Sequence, residues 1–171
     1  MSWRANPLLK NRLHPDFPDD LQVIVHDGGP RLCSTTPELM WVSVTGESEG
    51  VFSGRVLNEP QNLTTVKAGD TVLFLVTEAC EHPFRVSPKY LAERSNWKVT
   101  PCDKCGFGDM FDAPSDVQNK LFPDLPEGAS MDAFTSFCPI CGGIQLITSR
   151  DVDDERHGQR NRRWWQFWKV R

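Results

Sequence analysis

Two pairs of cysteines are the residues of this chain whose type and spacing point most directly to chemistry. Cys102 and Cys105 stand in Pro-Cys-Asp-Lys-Cys-Gly, and Cys138 and Cys141 stand in Cys-Pro-Ile-Cys-Gly-Gly. Two intervening residues let both thiolates of a pair reach one ion, and the following glycine allows the tight turn that this requires. The four cysteines therefore predict one bound zinc ion.

Three other uses of these cysteines compete with zinc binding: a redox dithiol, an iron–sulfur cluster and two unrelated pairs. The pairs are 32 residues apart, more than the separation of about 15–20 that is common in zinc sites. A thioredoxin-like dithiol would stand at the start of a helix in a βαβ unit, and the sequence does not predict such a unit here. An iron–sulfur site stays open, although a Cys-Pro-x-Cys-Gly turn between strands is more typical of zinc. Four thiolates fill a tetrahedral shell, so we expect the metal to be structural.

Composition limits the class of protein. The chain has 171 residues and a net charge of −4, which argues against a protein that coats nucleic acid. No apolar run resembles a signal peptide or a membrane span, so we expect a cytoplasmic location. That compartment is reducing and favours metal binding over disulfides. We expect Cys33 and Cys80 to be small buried hydrophobic residues.

The elements that must position the cysteines begin with a set of predicted strands. Residues 21–25 form a β-rich run that ends at a His-Asp-Gly-Gly-Pro turn. Residues 39–45 and 51–57 predict a hairpin with a five-residue connection, 46–50. Residues 71–76 form the most apolar strand.

Nearer the cysteines, two helix starts are indicated. Ser87 and Pro88 have the form of an N-cap and a first helical residue. Ser115 begins a capping-box pattern. Strands at residues 131–137 and 144–148 flank the second cysteine pair.

The predicted fold class is α+β, with a small twisted antiparallel sheet, one or two short helices and a zinc-ribbon module held by four cysteines. The predicted division is an N-terminal extension at 1–20, a β-rich α+β domain at 21–99 and the zinc-ribbon module at 100–150. An acidic linker and a basic aromatic tail follow at 151–171.

Other candidate sites rest on fewer residues. His26 and Asp27 suggest a catalytic pair, but a turn that ends a strand needs such residues anyway. Glu81 and His82, next to Cys80, suggest an acid–base pair or a second metal site, with a solvated loop as the simpler interpretation. An acidic run, Asp151, Asp153, Asp154 and Glu155, suggests cation binding but is more typical of a solvated edge.

The last residues combine basic and aromatic side chains. On a helix, the side chains of Trp164, Phe167, Trp168 and Arg171 would share one side, and Trp165 is a further tryptophan of the tail. We expect this tail to pack on the protein's own sheet or to anchor a partner protein, with peripheral contact to an anionic surface as the other option.

A family resemblance is carried by three stretches in the first half. They are Glu38-Leu-Met-Trp-Val-Ser-Val-Thr45, Phe52-Ser-Gly-Arg-Val-Leu-Asn-Glu-Pro60 and Val66-Lys-Ala-Gly-Asp-Thr-Val72. Residues 38–90 resemble the YegJ-like bacterial domains, a family of unknown function. The resemblance implies a small α+β domain on an antiparallel sheet. Some small bacterial proteins of this kind look like immunity or accessory proteins, while the cysteine half is similar to zinc ribbons.

Three functional hypotheses follow. The leading one is a soluble, non-catalytic bacterial zinc protein that binds another protein, of the immunity type in its most specific form, with Trp41 and the tail tryptophans as recognition residues to test. Trp41 is nevertheless expected in the core. The second is an enzyme with a loop site near His26, Asp27 and His82. The third is a nucleic-acid-associated zinc ribbon that uses Lys98, Lys104 and the tail.

Overall fold

The first half of the chain folds into a closed five-stranded barrel. The computed structural model describes residues 3–126 and 128–151. The barrel strands are β1 (Asp20–Val25), β2 (Glu38–Ser48), β3 (Val51–Val56), β4 (Thr71–Leu75) and β5 (Phe84–Val86). Each strand pairs antiparallel with the one before it, and β5 closes the barrel by pairing parallel with β1. Short 3₁₀ turns at Trp3–Ala5 and Pro7–Leu9 precede the first strand.

Alternating apolar side chains fill the barrel. In β1, Leu21, Val23 and Val25 are fully buried, as period-two alternation requires when one face of a strand meets a core. Phe52 and Phe74 are direct partners on the neighbouring strands β3 and β4, and their rings stack with centroids 5.5 Å apart. Each such side chain contributes about 1.5–3 kcal/mol by leaving water.

Trp41 is not a core residue, contrary to the prediction. Met40 and Val42 point inward and are fully buried, so the residue between them must face outward. Trp41 is half-buried there and packs edge-on against His14, with centroids 5.2 Å apart.

The β2–β3 hairpin is tighter than predicted. Glu49 and Gly50 form a two-residue turn with φ of 54° and 79°, the pair of positive values that matches the twist of a hairpin. The pairing register shifts between Val44 and Gly46. The five-residue connection predicted at 46–50 is therefore wrong, because a bulge lets Gly46 and the residues after it join the strand.

The second half forms a three-stranded sheet flanked by short helices. Its strands are β6 (Trp97–Val99), β7 (Ala133–Phe137) and β8 (Ile144–Ser149), in the order β6-β8-β7. The helices are α1 (Pro88–Glu93) and α2 (Pro114–Leu121), with a 3₁₀ turn at Arg94–Asn96. Within residues 3–126 and 128–151, no helix has the length and apolarity that crossing a bilayer demands.

Both predicted helices are present, but only one of the two predicted N-caps is confirmed. Ser87 caps α1 by accepting a hydrogen bond from the backbone N–H of Tyr90. Helix α2 begins at Pro114 with Ala113 as its N-cap residue, so Ser115 does not form a capping box. The hydroxyl of Ser115 donates instead to Glu93 at 2.7 Å, which ties α2 to α1.

The barrel and the second sheet share one hydrophobic cluster. Phe84 of β5 packs edge-on against Phe107, with centroids 5.3 Å apart. Cys102 and Cys138 are buried in the same cluster. The chain is thus mostly sheet with a few short helices, which confirms the α+β prediction in coarse form, but the first sheet is a closed barrel and not an open one.

Candidate metal centre

Each cysteine pair forms the same backbone turn. The N–H of Gly106 donates to the carbonyl of Cys102 at 3.0 Å, and the N–H of Gly142 donates to the carbonyl of Cys138 at 2.9 Å. Both glycines have positive φ, 77° and 70°. L-residues with side chains rarely adopt this conformation, so glycine after each pair is a requirement of the turn.

The two turns bring four sulfur atoms together. The Sγ atoms of Cys102 and Cys141 are 3.4 Å apart, and those of Cys105 and Cys138 are 3.6 Å apart. All four ligand atoms lie within 4.8 Å of one another. A tetrahedral ion with sulfur bonds of about 2.3 Å separates its sulfurs by about 3.8 Å. The four cysteines could therefore hold a single metal ion.

Contacts around the turns fix them to each other. A carboxylate oxygen of Asp103 accepts a hydrogen bond from the N–H of Ile144 at 2.8 Å. Gly143 is so close to the first turn that a Cβ there would lie 2.4 Å from Cys102 Sγ. The first pair is thus packed directly against the start of β8.

A buried glutamine supports the loop that follows the first pair. Gln145 is 1% exposed, and its amide donates to the carbonyls of Phe107 and Asp109 at 2.7 and 3.1 Å. These bonds hold residues 107–109 along β8. Without them, the carbonyl of Phe107 would keep only the bond that it accepts from the N–H of Cys102 at 2.9 Å, and the carbonyl of Asp109 would lose its bond to Gln145, which is costly for a polar group away from water.

The acidities of the thiols differ across the site. Burial raises the pKa of Cys102, but backbone N–H donors, among them that of Lys104, outweigh it and lower the pKa to about 7. Burial raises the pKa of Cys138 far above its ordinary value. Four adjacent thiols cannot all ionise without a compensating charge, and a divalent cation would supply it.

The ligand set leaves no room for a substrate on a tetrahedral ion. Cys102 and Cys138 are buried, while Cys105 and Cys141 face solvent. All four positions of the ion would be thiolates, and catalytic zinc sites keep one position open. Such an ion would hold the two turns together without taking part in a reaction.

The predicted catalytic pair, His26 and Asp27, is engaged in structural contacts. His26 is buried, stacks on Phe111 at 4.0 Å and hydrogen-bonds the carbonyl of Arg85 at 2.8 Å. Its burial lowers its pKa to about 4. Asp27 accepts hydrogen bonds from the N–H and hydroxyl groups of Thr64 and Thr65. These bonds outweigh desolvation and lower its pKa to about 2.

His82 lies elsewhere. It lines a hollow of about 260 Å³ with Glu81, His14 and Trp41, and neither His26 nor Asp27 lines that hollow. The side chains of His26 and Asp27 instead contact Arg85, Phe111, Thr64 and Thr65.

An exposed apolar surface next to the second cysteine turn was missed by sequence reasoning. Phe137 and Ile144 are paired across β7 and β8, and are 41% and 55% exposed. Leu146, on the same face of β8, is 44% exposed, and Ile140 within the turn is 41% exposed. We call these four residues the knuckle patch. The alternation of apolar and polar residues would place the side chains of Ile144 and Leu146 in the core. Gln145 occupies the core side of β8 instead, so Ile144 and Leu146 face outward.

The remaining predicted residues are accounted for as follows. Cys80 is buried, as expected of a small hydrophobic residue, and burial raises its pKa. Cys33 is half-buried, and its sulfur accepts a hydrogen bond from the N–H of Thr35 at 3.2 Å. The rest of the acidic run and the aromatic tail lie outside the described residues. The predicted residues concerned are Asp153, Asp154, Glu155, Trp164, Trp165, Phe167 and Trp168.

Comparison with known proteins assigns part of the chain. Residues 26–88 match a family described as an uncharacterized protein conserved in bacteria (DUF2314). The match covers most of the barrel and ends before the first cysteine pair. The predicted resemblance is confirmed as a bacterial domain of unknown function, while the YegJ-like assignment stays a prediction. No curated protein and no solved structure matches the chain.

Proposed function

We propose that the chain is a non-catalytic protein-binding module of a bacterial cytoplasm, in which one structural zinc ion stabilises a zinc-ribbon unit against the barrel. Zinc is the metal that best suits four thiolates in a tetrahedron. The partner is another protein, and an immunity-type role is the most specific form of this proposal.

The knuckle patch carries the proposal. Clustered exposed apolar side chains are uncommon on a free surface and typically mark contact with another protein. Phe137 and Ile144 border the turn that holds Cys138 and Cys141, so the metal would fix the geometry of the patch. Arg31 lies over the Phe137 ring at 4.1 Å and adds a cation to its rim, a combination common at interface anchors.

The two alternatives have less support. A loop enzyme needs His26, Asp27 and His82 in one pocket, but His26 and Asp27 are engaged in structural hydrogen bonds, and His82 lines a hollow that they do not line. A nucleic-acid-associated ribbon would use Lys98 and Lys104, but the net charge of −4 opposes binding to a polyanion.

The test is native mass spectrometry of the full chain purified from its own host at near-native level. We expect one zinc and one protein partner per chain. The double variant Ile144→Ser/Leu146→Ser should reduce partner occupancy about tenfold or more, because central apolar anchors dominate interface energy.

A matched control uses the barrel. Leu39 and Leu57 are 47% and 46% exposed, so Leu39→Ser/Leu57→Ser removes similar apolar area away from the patch and should leave the complex unchanged. Equal loss in both double variants would refute the patch, and a retained small molecule without a protein partner would favour the enzyme alternative.

A further inference from the structure

The outer face of the barrel carries a hollow beside Trp41. Its volume is about 260 Å³, just below the range of about 300–1,000 Å³ that is usual for drug-sized ligands, so it suits one small ring. It lies between the chain that precedes β1, the connection from β4 to β5 and the outward side chains of β1 and β2. The lining residues that matter here are Asn11, His14, Gln22, Trp41, Glu81 and His82. We call this site the Trp41 hollow.

The walls of the Trp41 hollow are fixed to each other. The guanidinium of Arg12 donates to three backbone carbonyls of the β4–β5 connection, each at 2.9 Å. These carbonyls belong to Thr77, Cys80 and Glu81. On the other side, the N–H of His14 donates to the carbonyl of the first residue of β1 at 2.7 Å. A site that is already in place loses little conformational freedom when a ligand binds.

Polar groups without a partner border the indole of Trp41. Gln22 is the direct neighbour of Trp41 across the β1–β2 pair. Among the described residues, the side chains of Asn11, Gln22 and Glu81 make no hydrogen bond and no ion pair. The Nδ1 atom of His14 accepts from a backbone N–H at 3.1 Å, which leaves the proton of the neutral ring on Nε2. The hollow therefore offers amides that donate and accept, a carboxylate that accepts and an imidazole N–H that donates.

The charges around the Trp41 hollow balance. With His14 and His82 neutral, the lining has one cation, Arg12, and one anion, Glu81. The backbone carbonyls that Arg12 contacts also use three of its N–H donors. An ion of either sign therefore gains little here, whereas a neutral ligand with one apolar face and several groups that donate and accept matches the lining.

We infer that the Trp41 hollow binds a neutral pyranose sugar. The carbon-bound hydrogens of a pyranose form an apolar face, which packs on the large apolar surface of an indole. Each hydroxyl of the sugar both donates and accepts a hydrogen bond, as the amides and the carboxylate beside Trp41 require. The inference goes beyond the proposed function, because the hollow is on the barrel and the knuckle patch is on the second sheet.

The test is an NMR titration of the full isotope-labelled chain with D-glucose, D-galactose, D-mannose and N-acetyl-D-glucosamine. We expect at least one of these sugars to shift the indole N–H signal of Trp41, which is the signal that Trp41→Ala removes. The dissociation constant should be on the order of 1 mM, since a ligand of so few atoms has little binding free energy. Glycerol has hydroxyl groups but no ring, and it should leave the signal unchanged.

Two variants test the residues that would hold the sugar. Trp41→Ala and Glu81→Gln should each raise the dissociation constant about tenfold or more, read from the backbone amide of Gln22. Glu78→Gln makes the same change on an exposed residue of the same connection that does not line the hollow, and should have little effect. An unchanged melting temperature establishes that each variant folds. Ile144→Ser/Leu146→Ser should bind the sugar normally, so failure of the knuckle patch and failure of the hollow are separate results.

A proline-rich segment of a partner protein is the competing occupant, because such segments dock on aromatic-lined grooves. If an oligoproline peptide shifts the Trp41 and Gln22 signals and no sugar does, the inference is overturned. It is also overturned if no sugar shifts the Trp41 signal at about 50 mM, if glycerol shifts it equally, or if Glu81→Gln binds the sugar as tightly as Glu78→Gln.

Discussion

Gly143→Ala should perturb the proposed metal centre without removing any of its four cysteines. The added Cβ would lie 2.4 Å from Cys102 Sγ and 2.5 Å from Asp103 Oδ1, whereas ordinary contacts between heavy atoms are about 3.5–4.0 Å. The sulfur must therefore move by about 1 Å, several times the tolerance of about 0.2 Å for a metal–ligand distance. We expect zinc affinity to fall on the order of ten- to a hundredfold, as for changes in groups that support metal ligands.

Competition with a chromophoric zinc chelator measures this effect. Because zinc binding acts as folding free energy in a site of this kind, the same variant should lose about 1.4–3 kcal/mol of stability in the presence of zinc. Gly108→Ala is the matched control, since a Cβ there meets its nearest atom at 3.8 Å and needs no positive φ. If Gly143→Ala binds zinc as tightly as Gly108→Ala, the proposed packing of the two turns is wrong.

Three further predictions concern the site and its support. The variant Cys138→Ser should lose most of its bound zinc, and its backbone amide hydrogens across residues 100–150 should exchange faster. The control Cys33→Ser should show neither change. Equal amide hydrogen exchange in the two variants would argue against a structural metal. Asp27 has a folded pKa of about 2 against an ordinary 3.8, so its stabilisation is present above pH 4 and lost as pH falls toward 2. Asp27→Asn should cost about 1 kcal/mol at pH 7 after solvent screening, and urea curves that fail to converge with the natural chain at low pH would contradict this. The pKa of His26 falls from 6.5 to about 4 on folding, so stability should drop by up to about 3 kcal/mol as pH falls through that window. His26→Gln should flatten this dependence in urea titrations, and an unchanged slope would refute it.

Local sequence signals predict most barrel strands but not how the barrel closes. The strand at 21–25 and the apolar strand at 71–76 are predictable because β-rich runs end at turn residues. Closure depends on the short strand β5, which pairs with β1 only between Ile24 and Phe84. A three-residue strand followed by Ser87 and Pro88 has no periodicity long enough to detect.

The four-cysteine cluster is the most predictable part of the candidate site, since residue type, spacing and the following glycine are all local. The support around it is not predictable, because it depends on contacts distant in sequence. Gln145 is buried through bonds to the backbone of residues 107 and 109, and this inverts the inside and outside faces of β8. The knuckle patch at Ile144 and Leu146 follows from that inversion, which no hydropathy pattern indicates.

Metal content tests the central claim most directly, by native mass spectrometry of the full chain purified under reducing conditions. One zinc per chain in the natural protein, and none when Cys102, Cys105, Cys138 and Cys141 are all replaced by serine, is the predicted result. A chain that folds identically without metal, or one that carries an iron–sulfur cluster, would contradict it.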